Sequence, residues 1–320
     1  MNEGSSKFRL WRDYYRQISH RIHFDRGFIS SAIMVGRVFL HYGFPRLKPS
    51  ASGGVASKKT SLAFYPNPAG AWYTIWMALQ STGIKITSST EDADVVFIFD
   101  DRTENMSSEI QATLENIEGD KVYVNSNVLD ISKTHVADVF QKIFGYPLSV
   151  DPLTYKGQAV CKSDENGMHD GHIIDLPIAP HEVKTDSVYQ VLVDSTFNRA
   201  QSEDLRITYV FGEIPIVYHK FKKLNQRFGT TYLSTTVKRA DDVFSSDELR
   251  EIVGFCEAMG LNFGSADVMR DKGSGKIYIV DVNKTCMPVL SLPKADLLGA
   301  METLGEVFER GVEARLASMS

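Results

Sequence analysis

Cysteine is scarce in this sequence of 320 residues, and several motifs that mark common protein classes are missing. Its three cysteines, Cys161, Cys256 and Cys286, form no closely spaced pair, which argues against a disulfide framework and a cysteine zinc site. The eight histidines show no HExxH spacing. The sequence therefore predicts a protein of a reducing compartment, without disulfide bonds or structural zinc.

A membrane span and a secretory signal are not expected either. The run "FISSAIMVGRVFLHYGF" at residues 28–44 is interrupted by Arg37 and is too short and too polar to cross a bilayer. The first residues show no uninterrupted apolar segment followed by a small-residue cleavage site. With 43% hydrophobic and 23% charged residues, the composition is that of a soluble globular protein, which we expect in the cytoplasm.

Positive charge is concentrated at the N-terminus. Residues 1–60 carry 11 Lys and Arg against 3 Asp and Glu, whereas the remaining residues are strongly acidic and the whole chain has a net charge of −5. The stretch "FRLWRDYYRQISHRIHFDRGF" is also aromatic, and "PSASGGVASKKT" at 49–60 is typical of a linker. We predict an amphipathic helical extension that packs on the body. Peripheral contact with a membrane or another anionic surface is the alternative.

Residues 61–126 alternate between extended and helical patterns. Strands are predicted at 61–67, 93–100 and 121–126, with helices at 70–83 and 106–118 between them. The segment "ADVVFIFD" is almost wholly apolar, as is typical of a parallel strand buried on both faces. This order predicts a small α/β unit, and the absence of GxGxxG argues against dinucleotide binding.

Hairpins dominate the rest of the chain, which is long enough for two or three lobes. A helix is predicted after Ser132, ending at 145–147, and another at 246–259 begins with a capping box of Ser245 and Glu248. The last helix is predicted at 295–316. The strand pairs are "QAVCKS" with "HIIDLP", "DLRITYV" with "IPIVYHKF", and the two halves of residues 265–285.

The hairpin at 265–285 carries acidic residues where apolar ones would pack more easily. Asp267 and Asp281 are equidistant from Ser274, so closure at the Gly-Ser-Gly turn would place them opposite each other, with Asn283 on the same face. Like charges directly opposite are destabilising unless a cation lies between them, and oxygen ligands suit Mg²⁺. On spacing alone, a metal site and a solvated sheet face are equally well supported.

Three cations upstream have similarly open interpretations. Lys162 ends a strand before a loop containing Gly167 and Gly171, an arrangement that can bind phosphate but also suits an exposed hairpin. Lys133 lies at a helix N-terminus, which favours anions. Arg206 lies in an apolar strand, and a turn at 212–213 would place His219 or Lys220 opposite it.

The order of these elements resembles the ATP-grasp superfamily over residues 61–310. The similarity is closest to the branch of D-alanine–D-alanine ligase, glutathione synthetase and ribosomal-protein glutamate ligases. It implies a mixed α+β and α/β protein with an ATP-grasp fold, a preceding small α/β lobe and a basic helical extension. The implied domains are 1–60, 61–130 and 131–320, the last divided into lobes 131–195 and 196–320.

The resemblance also implies roles for individual residues. Those assigned to ATP are two phosphate-binding lysines, a flexible loop and a hinge: Lys133, Lys162, Gly167, Gly171, Gln190, Val191, Leu192 and Asp194. Arg206 and Lys162 would stabilise the transferred phosphoryl group, and Asp267, Asp281 and Asn283 would bind one or two Mg²⁺ or Mn²⁺ ions. The family's usual final pair is Glu-x-Asn, whereas this chain has Asp281-x-Asn283, followed directly by Lys284.

The reaction implied by the resemblance is ATP-dependent joining of a carboxylate to an amine or another nucleophile. It would pass through an acyl-phosphate and release ADP and phosphate. Two alternatives remain open, a kinase that phosphorylates a small-molecule hydroxyl and a partner protein that binds ATP without catalysis. The implied partners are a small-molecule carboxylate and amine and a second copy in a homodimer, with no nucleic acid.

Overall fold

The computed structural model describes residues 60–104, 110–112, 114, 121–229 and 231–319. The basic N-terminal extension and most of the predicted helix 106–118 lie outside these residues, so their structure stays a prediction. Among the described residues, no helix is both long and apolar enough to cross a membrane.

In the described part of the chain, the helices are α1 (Thr74–Leu79), α2 (Lys133–Phe144), α3 (Ser246–Ala258) and α4 (Lys294–Met319). The first strands are β1 (Ser61–Pro66), β2 (Lys85–Thr87), β3 (Val95–Phe99), β4 (Val122–Val124), β5 (Gly157–Ser163), β6 (His172–Leu176) and β7 (Ser187–Val191). The later strands are β8 (Thr196–Asn198), β9 (Gln201–Val210), β10 (Glu213–Lys223), β11 (Ser234–Lys238), β12 (Phe263–Arg270) and β13 (Ile277–Asn283).

The first lobe is the predicted small α/β unit. Its parallel sheet has the order β2-β1-β3-β4, and β3 is buried throughout, as its apolar run predicts. Helix α1 is shorter than the predicted 70–83, because the chain is still extended at Tyr73 and the helix ends at a cap on Gln80. Gly83 does not end the helix. Its N–H instead donates to Glu309 Oε1 at 2.7 Å.

Helices α2 and α3 begin where their capping residues predict. The Ser132 hydroxyl accepts from the His135 N–H at 3.2 Å, and α2 ends at Gly145, whose φ of 75° is left-handed. The predicted capping box of Ser245 and Glu248 is present at the start of α3. Both helices bury their apolar faces against the large antiparallel sheet in one hydrophobic core.

The remaining strands form two antiparallel sheets. The three-stranded sheet has the order β6-β5-β7, and the six-stranded sheet has the order β11-β10-β9-β12-β13 with β8 beside β9. Helix α4 packs between the six-stranded sheet and the first lobe, where Phe308 contacts the rings of Phe97 and Phe263. It runs three residues beyond the predicted end. The architecture of a small α/β lobe followed by two antiparallel sheets is the one predicted from the sequence.

The register of β12 and β13 confirms that Asp267 lies opposite Asp281. Val268 pairs with Ile279, so Val280 is an extra residue that forms a β-bulge. From the sequence, the period of two along β13 predicts Tyr278, Val280 and Val282 together on the face opposite Asp281, and the bulge shows that this prediction is wrong. The bulge changes the phase of the strand, and Ile279 and Val282 are the two residues of β13 with no exposed surface.

The partner predicted for Arg206 is wrong, because the hairpin turns at Phe211 and Gly212, one residue earlier than expected. With the register shift between Glu213 and Ile216, this turn places Tyr218 opposite Arg206 rather than His219 or Lys220. Lys220 lies two residues beyond Tyr218, so its side chain still shares a face with Arg206.

Candidate functional site

Charged side chains converge on one face of the six-stranded sheet, which we call the site face. Arg206 pairs with Asp267 and Asp267 pairs with Asp281, so three adjacent strands place their side chains on the same side. Lys220 on β10 and Asn283 on β13 follow from the period of two along each strand. Four of these five residues were candidates from the sequence, and Lys220 was named only as a neighbour of Arg206.

Asp267 is saturated by cations. Arg206 donates to it through two bonds, Nε to Oδ1 and Nη2 to Oδ2, both 2.8 Å, and Lys220 Nζ lies 3.0 Å from Oδ1. Burial by itself would raise the pKa of Asp267, but Arg206 and Lys220 outweigh it and hold the pKa far below its usual range. Burial likewise opposes the charge of Arg206, while Asp267 raises the pKa of its guanidinium. Asp267 is therefore ionised at neutral pH.

Asp281 has a very different environment although it lies directly opposite. Its Oδ1 is buried without a hydrogen-bond partner among the described residues. Burial raises the pKa of Asp281, and Lys162 acts in the opposite direction while Asp267 adds to the rise. Asn283, two residues on, accepts from the Thr285 N–H at 2.9 Å through Oδ1. The site face thus presents a buried carboxylate oxygen that has no hydrogen-bond partner among the described residues.

Lys162, on the three-stranded sheet, interacts with the strand that carries Asp281. Its ammonium donates to the carbonyl of Val280 at 2.9 Å, and it interacts electrostatically with Asp281. Burial lowers the pKa of Lys162 to about 8. Gln190 shares its face of the sheet and is buried, and its Nε2 has no hydrogen-bond partner in the part of the chain that the structure describes. Lys162 and Gln190 therefore lie between the two antiparallel sheets.

Lys133 contacts the loop at 164–171. Its ammonium donates to the carbonyl of Glu165 at 2.6 Å. Asp164 binds the start of α2, since its carboxylate accepts from both the N–H and the hydroxyl of Thr134 at 2.8 Å. Gly167 has a φ of 80°, and Gly171 packs against Phe228. The structure brings Lys133 and this loop together, with the lysine directed at loop carbonyls.

The predicted hinge connects the two antiparallel sheets. Gln190 and Val191 belong to β7, and Leu192 follows directly. The N–H of Asp194 donates to Asp271 Oδ1 at 3.0 Å, and the Lys272 N–H donates to the Asp194 carbonyl at 2.8 Å. The Asp194 carboxylate is exposed and accepts from the Thr196 N–H at 3.1 Å. The turn of the final hairpin thus fixes this segment.

Sequence reasoning did not single out several buried lysines on or beside the site face. Lys220 is almost fully buried, and Lys222 forms an ion pair with Asp204 at 2.8 Å. Their alternation in the apolar strand "IPIVYHKFKK" was a usable signal, because two lysines at a period of two share one face. Lys284 is also buried, and burial lowers its pKa while Asp100, Asp101 and Asp130 oppose that effect.

The oxygen ligands of the site face suit a hard cation such as Mg²⁺. The described residues contain no group of three or more His, Cys, Asp and Glu that could hold a metal ion, so the protein's share would be two carboxylates and one amide. Mg²⁺ commonly takes only one or two carboxylates and completes its shell with water and phosphate. The buried Asp281 Oδ1, which has no hydrogen-bond partner among the described residues, fits this use because a cation would offset the cost of burying it.

No protein-family model matches the sequence, and no curated protein is significantly similar to it. Solved structures are similar in fold. One is the ATP-grasp ligase PsnB with a phosphomimetic variant of its minimal precursor, Mg and ADP, at 9% identity, TM-score 0.49, and coverage of 80% of this chain and 99% of that chain.

Another solved structure is D-alanine–D-alanine ligase from Bacillus anthracis with ATP, at 10% identity, TM-score 0.47 and coverage of 81% and 99%. A third is the macrocyclase MdnC with precursor peptide MdnA from Microcystis aeruginosa MRC, at 10% identity, TM-score 0.45 and coverage of 78% and 99%. PsnB is named as an ATP-grasp ligase, which is the superfamily that the sequence resembles. At these identities and TM-scores, the likeness supports no argument about the substrates or the reaction of this chain.

Proposed function

We propose that this protein is an ATP- and Mg²⁺-dependent ligase that joins a carboxylate to an amine. The observation that supports this most is the pairing of Asp267 with Asp281 on a face that also carries Arg206 and Lys220, opposite Lys162. Transfer of a phosphoryl group between anionic oxygens requires alignment and neutralisation of charge, and needs no protein nucleophile.

In the proposed reaction, a carboxylate oxygen of one substrate attacks the terminal phosphorus of ATP. The bond to ADP breaks and an acyl-phosphate forms. The nitrogen of the amine then attacks the acyl carbon, loses a proton and displaces phosphate. ATP is a substrate in this scheme, and the products are an amide, ADP and phosphate.

The protein's own residues would bind and neutralise. Asp267, Asp281 and Asn283 would hold Mg²⁺, which supplies positive charge against the phosphate oxygens when it is bound. Lys162 would face the phosphates from the three-stranded sheet, and Arg206 would remain oriented by its two bonds to Asp267. The buried Nε2 of Gln190 offers a free donor to the nucleotide in the same cleft.

Lys133 would act on the phosphates together with the loop at 164–171 that its ammonium contacts. Leu192 and Asp194 would border the nucleotide at the hinge. We place the reaction in the cytoplasm, with small-molecule substrates and a dimeric protein, and residues 1–60 as the segment that would contact an anionic surface.

The test is a screen of amino acids and sugar acids with Mg²⁺ and ATP, in which the released nucleotide is identified. Substrate-dependent release of ADP, with formation of a hydroxamate when hydroxylamine is present, is the expected result. Release of AMP would overturn the acyl-phosphate route. A phosphorylated hydroxyl product without hydroxamate would replace the ligase with the kinase.

A matched pair of variants tests the site itself. Asp281→Asn should reduce ADP release at least 100-fold, because it removes the uncompensated oxygen proposed to bind Mg²⁺. Asp175→Asn, an exposed change on β6, is the control and should leave the rate unchanged. Wild-type turnover by Asp281→Asn would show that the site is assigned wrongly.

A further inference from the structure

A second group of charged residues, two of them buried, lies where the first lobe meets the end of β13. We call Asp100, Arg102, Asp130 and Lys284 the junction cluster. Asp100 directly follows β3, at the carboxyl edge of the parallel sheet, and Lys284 directly follows β13. Asn125, after β4, holds the two edges together, since its Nδ2 donates to the Phe263 carbonyl at 2.7 Å and to the Lys284 carbonyl at 3.4 Å.

The ammonium of Lys284 is buried with most of its hydrogen-bonding capacity unused. The residue is 2% exposed, and its Nζ makes one long bond, 3.5 Å, to the Val128 carbonyl. Within the described residues it forms no ion pair, although an ammonium has three donors. A buried cation in such a setting is costly unless another group satisfies it.

Asp100 is a buried anion that also lacks a hydrogen-bond partner for one of its oxygens. It is 6% exposed, and its Oδ1 accepts from Arg102 Nε at 3.0 Å. Its Oδ2 is buried and has no partner among residues whose structure is described. Arg102, whose side chain is 48% exposed, forms the solvent side of the cluster. Asp100 and Lys284, both among the described residues, therefore interact electrostatically, but no hydrogen bond or ion pair joins them directly.

The cluster borders the proposed reaction centre on two sides. Lys284 is the neighbour of Asn283 in the chain. Thr103, at the same edge as Asp100, accepts through its hydroxyl from the Asn166 N–H at 3.0 Å, which connects this edge to the loop at 164–171. In open parallel sheets, ligands bind outside the carboxyl ends of the strands, which is where Asp100 and Asn125 lie.

We propose that the junction cluster binds a zwitterionic amino acid as one substrate of the ligase, an inference that rests on the proposed function. The Oδ2 of Asp100 would accept from the amino acid's ammonium group, and Lys284 would donate to its carboxylate. A ligand with both charges satisfies both deficits at once. A simple amine or a simple carboxylate would leave one buried charge uncompensated.

The test is calorimetric binding to the full chain of the common amino acids in both enantiomeric forms, with Mg²⁺–ADP present. Each amino acid that binds is compared with its analogue lacking the amino group and its analogue lacking the carboxyl group. At least one amino acid should bind, and each analogue should bind at least 10-fold more weakly. Binding of Mg²⁺–ADP is measured separately, because its absence would sink the proposed function rather than this inference.

Variants identify the location. Asp100→Asn and Lys284→Met should each weaken amino-acid binding at least 10-fold while the affinity for Mg²⁺–ADP changes less than twofold. Asp175→Asn and Lys294→Met, both at exposed positions, are the controls. If Lys284→Met does not fold, Lys284→Gln, which removes the charge and keeps a polar side chain, replaces it. Nucleotide binding without binding of any amino acid overturns the inference, and so does unchanged amino-acid binding by the folded variants.

Discussion

Two aspartates that face each other across one pair of strands have opposite energetic roles. Asp267 is bound by Arg206 and Lys220, whereas Asp281 has a buried oxygen without a partner among the described residues. Removing one member of a buried ion pair leaves the other charges uncompensated, and removing an unpaired buried charge relieves a cost. The two residues therefore differ in how much of their charge is balanced by hydrogen-bonded partners within the protein.

Asp267→Asn should lower the free energy of unfolding by about 3–5 kcal/mol, because Arg206 and Lys220 lose their shared anion. Asp281→Asn should leave that free energy unchanged or raise it. Urea denaturation without Mg²⁺ or nucleotide measures both variants under the same conditions. Equal losses in the two variants would contradict the different environments of the two carboxylates.

Lys162 should make stability depend on pH in the alkaline range. Its pKa in the folded protein is about 8, below the ordinary 10.5, so folding opposes its protonation. The penalty is complete below pH 8 and is relieved as pH rises from 8 to the unfolded value. Wild type should therefore gain stability relative to Lys162→Met between pH 7 and pH 10, measured by urea denaturation. Lys142→Met, at an exposed position of α2, should show no such difference from wild type.

Residue spacing predicted the parts of the site whose contacts form within one hairpin or one helix. Asp267 and Asp281 are symmetric about a glycine-rich turn, and Ser132 and Ser245 mark helix starts in the sequence. The role of Lys220 depends on strand β9 lying between β10 and β12. That of Lys284 depends on contact between lobes. The contacts of Lys220 and Lys284 therefore cannot be predicted from the residues next to them in the sequence.

At the scale of elements, the β-bulge in β13 determines the geometry of the final hairpin. Next to the turn, Arg270 pairs with Ile277, a register centred before Ser274. The extra residue Val280 restores the symmetry that brings Asp267 opposite Asp281. The predicted pairing was thus correct although the hairpin does not close at Ser274. The bulged residue also links the two antiparallel sheets, because the Val280 carbonyl accepts a hydrogen bond from Lys162.

The loop at 164–171 is attached to the start of α2, and Asp164→Ala should release it. Loss of the two bonds to Thr134 removes a cap, which typically stabilises by about 1 kcal/mol. We expect a loss of that size in urea denaturation and faster limited proteolysis within the loop. Glu165→Gln is the control, because its side chain is exposed. Unchanged proteolysis of Asp164→Ala would show that other contacts, such as those of Lys133 and Thr103, are sufficient to hold the loop.

At the scale of the whole molecule, α4 joins the first lobe to the large sheet. Its buried residues share one core with β1, β3 and α1 of the first lobe and with Tyr218 and Phe263 of the large sheet. Its Arg310 also pairs with Glu213 on β10 at 2.7 Å. The apolar spacing predicted this helix, but a helical pattern does not reveal which two surfaces it will bridge. The relative placement of the lobes therefore had to come from the structure.

Close packing of α4 on α1 makes two glycines of the same helix respond oppositely to alanine. Alanine in a helix is favoured over glycine by about 1 kcal/mol, so Gly299→Ala, at an open position, should raise the free energy of unfolding. A methyl group at Gly305 would lie 2.5 Å from the Ala78 carbonyl oxygen. Gly305→Ala should therefore force α4 away from α1 and lower that free energy by about 1–3 kcal/mol. Urea denaturation of the two variants compares them directly, and a gain in both would mean that α4 is not packed against α1 at this site.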